Sequence, residues 1–187
     1  MGRLIFSKLW PLIKVLVIGF KFLPSFMCSF IWGGTSCFSG SVSVLIRYLI
    51  FSSRVGRFSK NTYIGTCVVL KNLEGLHVGK NLSIHDFCYI DAVGKIIIGD
   101  NVSIAHGCSL VSFNHTWAEA DTSIKYNPVK LSPIVIQDDV WIGCGVRIMP
   151  GVEIGSRSIV AAGSVVLSDV PSHCVVAGVP AKVVKHI

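Results

Sequence analysis

Six histidines, at positions 77, 85, 106, 115, 173 and 186, are the side chains able to exchange a proton near neutral pH. His115 is set apart by its place. It closes the run Ser112-Phe113-Asn114-His115, and the twenty residues after it, Thr116 to Val135, interrupt the pattern on either side. A histidine on a wall beside a lid can take the proton of a bound hydroxyl. Its plainer alternative is a loop histidine in solvent. Three histidines on one metal would require His85, His106 and His115, at spacings of 21 and 9. The seven cysteines are odd in number, widely spaced and form no C-x-x-C pair. They read as small buried hydrophobes in a reducing compartment.

The elements that must position these groups come from a six-residue recurrence. Val78, Ile84 and Ile90 lead, after a slip of two, to Ile98, Ile104 and Leu110; after the interruption follow Ile136, Ile142, Ile148, Ile154, Val160 and Val166. A period of six fits short strands joined by tight corners, with each aliphatic residue pointing into a triangular prism and a small or polar pair turning each edge. Three hexads make one coil. The spacing predicts an all-β parallel helix of about five coils, 58–77, 78–97, 98–115, 136–153 and 154–171, with residues 116–135 as an excursion. The domain then runs over residues 58–187, behind a hydrophobic N-terminal segment over residues 1–57.

Particular segments add a resemblance. Ile98-Gly99-Asp100-Asn101-Val102, Val140-Trp141-Ile142-Gly143, Pro150-Gly151-Val152-Glu153-Ile154-Gly155, Ala161-Ala162-Gly163-Ser164-Val165-Val166 and Val176-Ala177-Gly178-Val179-Pro180-Ala181-Lys182 resemble the hexapeptide-repeat acetyltransferases across residues 58 to 185. The likeness is nearest to the sugar O-acetyltransferases of the maltose, galactoside, nodulation-factor and surface-polysaccharide branch. It implies a left-handed β-helix, a homotrimer with sites between subunits, acetyl-coenzyme A as donor, a saccharide hydroxyl as acceptor, and no metal.

Acetyl transfer from a thioester to a hydroxyl needs a base, donors for the developing oxyanion and a groove for a long donor. The resemblance makes His115 the base and the backbone N–H of Cys144 an oxyanion donor. Trp141 and Gly143 would line the donor groove, Ala161 and Ala162 would offer backbone contacts, and Lys182 and Lys185 would meet the coenzyme's phosphates. Asn114, Trp117 and His85 are the acceptor candidates. His85 falls where maltose-type enzymes carry an asparagine, so its role does not transfer directly. Competing readings are N-acetylation of an amino sugar nucleotide, a non-catalytic membrane-bound scaffold, and a zinc-dependent carbonic anhydrase, whose histidine spacing this chain does not match.

Charge divides the chain as sharply as the repeat does. The first 60 residues hold eight basic residues and no acidic one, and the first carboxylate is Glu74. The whole chain is 51% hydrophobic and 14% charged, which excludes a disordered chain. The basic residues are scattered singly among apolar ones, which disfavours a nucleic-acid partner. On a helical wheel Arg3, Ser7, Lys14 and Lys21 share a narrow sector of a greasy helix that Pro24 would end, with Trp10 as an interfacial anchor. That pattern suits a segment lying on an anionic membrane and predicts peripheral attachment at the cytoplasmic face, the alternatives being a helix or cap packed on the prism, a membrane span and a cleaved signal peptide. Lys14 and Lys21 interrupt any membrane-crossing run.

Overall fold

A chain with one inward aliphatic residue per hexad can bury it only by folding back on the coil before, and this fixes the architecture. The computed structural model describes residues 9–56 and 60–187. Strands stack in three parallel faces. The first holds β1 (Tyr63–Ile64), β4 (Ser83–Ile84), β7 (Ser103–Ile104), β12 (Trp141–Ile142) and β15 (Ile159–Val160), and is closed by the hairpin of β17 (Cys174–Gly178) and β18 (Ala181–His186). The second holds β2 (Val69–Lys71), β5 (Tyr89–Asp91), β8 (Ser109–Val111), β13 (Arg147–Ile148) and β16 (Val165–Val166). The third holds β3 (Leu76–Val78), β6 (Ile96–Ile98), β11 (Ile134–Ile136) and β14 (Glu153–Ile154). The result is a left-handed parallel β-helix of five coils.

The register shows why the hexads matter. Ile64, Ile84, Ile104, Ile142, Val160 and Val176 pair in one ladder, and Ile90, Leu110, Ile148 and Val166 in a second. A third joins Val78, Ile98, Ile136 and Ile154. Every one of these side chains is at most 2% exposed. Each is worth roughly 1.5–3 kcal/mol of apolar burial, and the ladders together form the core.

The corners explain the intervening residues. Each turn needs a backbone in the left-handed region, which asparagine, aspartate and glycine enter at least cost. Asn61, Asn81, Asn101 and Asp139 take it at the third-to-first corner, and Cys67, Phe87, Gly107, Gly145 and Gly163 at the first-to-second. At the former corner the Asn61 amide donates to Asn81 and the Asn81 amide to Asn101, both at 2.8 Å.

The excursion differs from the expected flexible lid over 116–135. It is a folded arm whose base is a ribbon of β9 (Phe113–His115) antiparallel to β10 (Val129–Leu131), so it opens three residues earlier and closes before Ile134 rejoins the third face. The buried Asn127 amide holds its tip, donating to Thr122 O at 2.7 Å and Glu119 O at 3.2 Å and accepting from Glu119 N at 3.0 Å.

The N-terminal segment forms three helices, α1 (Trp10–Lys21), α2 (Ser25–Ser36) and α3 (Ser41–Arg54). Pro24 ends the first, and the following helix starts beside it. Helix α3 is the inner one: Phe51 is fully buried in the prism core, and the buried Arg47 donates to Ile64 O at 3.1 Å, Thr35 O at 2.6 Å and Phe38 O at 2.8 Å. Trp10 does not stand free as an anchor. It packs beside Ile13, Val17, Tyr48 and Leu49, with the Lys14 and Lys60 ammonium groups 5.7 and 5.3 Å from its ring centre. Arg3 and Ser7, the rest of the expected basic stripe, lie outside the described residues.

All seven cysteines are unbridged. Four of them, Cys28, Cys88, Cys108 and Cys174, are buried as expected; Cys67 and Cys144 are half-buried, and Cys37 is exposed. Cys37 and Cys67 approach within 3.8 Å at the seam between α2 and the first coil.

Candidate functional site

Because β9 continues from the end of β8, the arm carries His115 out over the second face. His115 and Asn114, both exposed, border a cavity of about 380 Å³ with Ser109, Phe113, Arg147 and Met149. The His115 ring meets Phe113 edge-on, at 6.4 Å between centroids and 71° between planes. Asn114 lies opposite Lys130 in the ribbon. Trp117, just past β9, is 79% exposed.

The donor-groove candidates gather elsewhere, at the first-to-second corner. Trp141 faces outward on the first face, bordering a separate cavity with Ser103, Asp139, Arg157 and Ile159. One corner later come Gly143 and Cys144, and one coil above them Ala161 and Ala162. The packing between these coils is close: a Cβ on Gly143 would sit 2.6 Å from Ala162 N and 2.8 Å from Val160 O. Only glycine fits there.

The hydrogen bonds at this corner leave a repeating gap. Gly143 N donates to Val160 O and Gly145 N to His106 O, while Ala161 N donates to Val176 O and Gly163 N to Cys144 O. The backbone N–H of the residue between each pair, Cys144 or Ala162, donates to no acceptor among the described residues. The corner therefore presents amide donors without a partner among the described residues, set among small side chains and one coil apart at about 4.8 Å. Such a track can accept the carbonyls of an extended ligand or an oxyanion.

His85 belongs to the same edge two coils lower, with its ring 5.5 Å from that of Tyr63. Lys182 and Lys185 lie at the opposite end, exposed on β18. Along one edge the order is therefore His85, Gly143 with Cys144, Ala161 with Ala162, and then the lysine hairpin. None of the edge residues borders the His115 cavity. The three histidines weighed as metal ligands stay apart: His85 and His106 share this edge, and His115 rides the arm. Among the described residues no group of three His, Cys, Asp or Glu is placed to hold a metal.

Arg147 was not singled out in the sequence. It supplies the one charged side chain of the His115 cavity, and it donates to Gly107 O at 2.7 Å and Gly145 O at 3.0 Å. Its signal was present, since Ser109, Arg147 and Val165 occupy one outward rung, the position just before the inward aliphatic residue.

A coiled prism with a histidine-bearing arm and a small-residue corner defines a class of hexapeptide-repeat proteins. Residues 133–168 match the family of the bacterial transferase hexapeptide (six repeats). Galactoside O-acetyltransferase of Escherichia coli is 35% identical over 129 residues, covering 68% of this chain and 62% of that enzyme. Two solved structures share the fold over most of both chains. A Vibrio cholerae hexapeptide-repeat acetyltransferase complexed with acetyl-coenzyme A has a TM-score of 0.75 at 27% identity, covering 85% of this chain and 84% of that one. A maltose O-acetyltransferase from Clostridium difficile has a TM-score of 0.71 at 28% identity, covering 98% and 88%. The chain belongs to the hexapeptide-repeat transferase family.

Proposed function

We propose that this chain transfers the acetyl group of acetyl-coenzyme A to a hydroxyl of a saccharide, in a homotrimer whose sites lie between neighbouring copies. The row of unpaired corner amides carries the reading. A pantetheine arm is long, thin and studded with amides, and the edge from Gly143 to Ala162 offers it donors with no bulky side chain in the way. Lys182 and Lys185, beyond the last coil, suit the coenzyme's phosphates. The relatives named for galactoside and maltose O-acetylation, and the relative complexed with acetyl-coenzyme A, support the same donor and acceptor class.

The chemistry follows from the parts. The His115 imidazole takes the proton of the acceptor hydroxyl as its oxygen attacks the thioester carbonyl. The Cys144 N–H bonds the oxyanion that forms, and collapse expels the thiolate, which recovers the proton from the imidazolium. The thiol of Cys144 takes no part. Since His115 and the corner amides do not meet within one chain, a neighbouring copy brings the second half of the site. The acceptor is a surface-polysaccharide or lipid-linked intermediate, reached from the cytoplasmic side where acetyl-coenzyme A is made.

The test is acetyl transfer from labelled acetyl-coenzyme A to a panel of neutral, acidic and amino sugars, read as label in product and as free thiol released. Ester formation on a hydroxyl supports the proposal. Label appearing only on the nitrogen of amino sugars would replace it with N-acetylation.

A further inference from the structure

The helical cap leaves an apolar surface that no other described residue covers. Helix α1 turns Ile13 and Val17 inward against α3 and leaves Val15, Ile18 and Phe22 outward, at spacings of three and four. Helix α2 turns Cys28 toward Arg54 of α3 and Trp32 toward the prism, and leaves Phe26 and Phe30 outward, one turn apart. Phe22, Phe26 and Phe30 are 84%, 74% and 83% exposed. Single exposed apolar residues are ordinary, but three phenylalanines at this exposure beside an outward aliphatic stripe mark a surface with an occupant.

Charge selects the occupant. Lys14 and Lys21 fall on one flank of α1, both exposed, and no acidic residue occurs before Glu74. A second copy of this cap would bring only more positive charge and no carboxylate to pair with it. Protruding phenylalanines with lysines alongside match a bilayer whose headgroups are anionic, the rings entering the acyl boundary and the ammonium groups staying among phosphates. Among the described residues no helix is long and apolar enough to cross a membrane. Each of these helices is 12 or 14 residues, about 18–21 Å, against a hydrocarbon core of about 30 Å.

We infer that α1 and α2 form an interfacial platform that seats the N-terminal end of the prism on an anionic bilayer without spanning it. Helix α3 and the C-terminal half of α2 are the rigid mount: Phe51 of α3 plugs the first coil, and from α2 the Trp32 indole donates to Val68 O at 3.3 Å while Ser36 O accepts from Cys67 N at 2.8 Å. The attachment then sets the direction of the prism. His85 in the second coil and the His115 arm in the third lie one to two coil rises, about 5–10 Å, beyond the seated end, while Lys182 and Lys185 sit at the far end in water. This places the acceptor end toward lipid-borne sugars and the donor end toward the soluble coenzyme. The orientation argument rests on the proposed acetyl transfer; the docking does not.

Full-length protein should be tested for co-sedimentation with vesicles of phosphatidylcholine alone and with about 30% phosphatidylglycerol, at low and high salt. Binding should be at least tenfold tighter to the anionic vesicles and should weaken as salt rises. Phe22→Ser/Phe26→Ser/Phe30→Ser should reduce it tenfold or more on both compositions, with helix content and thermal midpoint kept, because these rings are outside the core. Lys14→Glu/Lys21→Glu should remove the preference for anionic lipid and spare the residual binding to phosphatidylcholine. Wild-type protein remaining in the supernatant with anionic vesicles at low salt overturns the inference. So does a triple serine variant that binds as wild type, or one whose loss of binding is matched by loss of self-association in lipid-free buffer. Acetyl transfer to a soluble sugar, measured on the same variants, should be unchanged. Failure of that assay in every variant and in wild type would count against the transfer reading alone.

Discussion

At the scale of single residues, the assignments make opposite predictions for His115 and Cys144. His115 is exposed and its ring meets Phe113 edge-on, so His115→Ala should leave the thermal midpoint within a degree or two. If it is the base, turnover should fall about 10² to 10⁴-fold while the Michaelis constant for acetyl-coenzyme A stays near wild type. Steady-state kinetics beside a melting curve decide it, and a variant keeping a third of its activity would remove His115 from the chemistry. Cys144 is assigned through its backbone, and its N–H survives any substitution but proline. Cys144→Ala should therefore keep activity within about threefold, because the donor to the oxyanion is unchanged. A loss near that of the histidine variant would mean that the thiol takes part.

At the scale of elements, the prism and the arm respond differently to truncation. Ile142 is fully buried and is paired with Ile104 below and Val160 above, so Ile142→Ala should cost about 2–5 kcal/mol of stability, read by denaturant unfolding. Asn127→Ala strips the hydrogen bonds that hold the arm tip. It should cost about 1–3 kcal/mol locally, raise the Michaelis constant for the acceptor, and expose 116–126 to limited proteolysis well below the global transition. The faces of the prism were legible because one aliphatic residue per six must point inward, which fixes the strands of the five coils from the spacing, whereas the closing hairpin of β17 and β18 lies beyond the last hexad. The arm was not. Its ribbon pairs Phe113–His115 with Val129–Leu131, six residues in all, too few to display an alternation, and its tip is organised by the one side chain of Asn127. One helix ended by Pro24 was foreseen in kind but not in contacts, and α2 and α3 were not foreseen. The buried Arg47 satisfies helix-end and strand carbonyls, a task that no pattern of hydropathy announces.

The thiols test packing across the whole molecule. Cys88 and Cys108 occupy inward corner positions, with Cys88 donating to Ala105 O and Cys108 to Gly143 O, each at 3.1 Å. Hydrogen bonding to Cys108 and burial push the Cys88 thiol far above its ordinary range, so it stays protonated. Cys67 is also raised, chiefly by its contact with Cys37, so the thiolate that reacts is scarce near neutral pH and grows as pH rises. Alkylation of native protein should reach the exposed Cys37 and half-buried Cys144 readily and Cys67 slowly, while the buried Cys28, Cys88, Cys108 and Cys174 react only after unfolding. Mass spectrometry of alkylated peptides at two pH values reads this directly.

The same scale decides how the site is completed. In one chain His115 hangs over the second face, whereas the unpaired Cys144 and Ala162 amides lie on the edge between the first and second faces, outside its cavity. If three copies close in a ring, each edge of one copy meets the arm of the next, and every site takes its base and its donor track from different chains. Subunit mixing tests this without any structure of the assembly. His115→Ala removes the base but keeps the track; Ala162→Trp blocks the track but keeps the base. Each variant alone should be inactive and trimeric by sedimentation. After joint unfolding and refolding in equal amounts, a ring of two kinds of subunit holds one site with an intact base facing an intact track. Random assembly then restores roughly a quarter of wild-type activity. Recovery near that value fixes the site between copies. No recovery from verified mixed trimers would place base and track in the same chain, and the arm would then have to swing across the second face to reach its own corner.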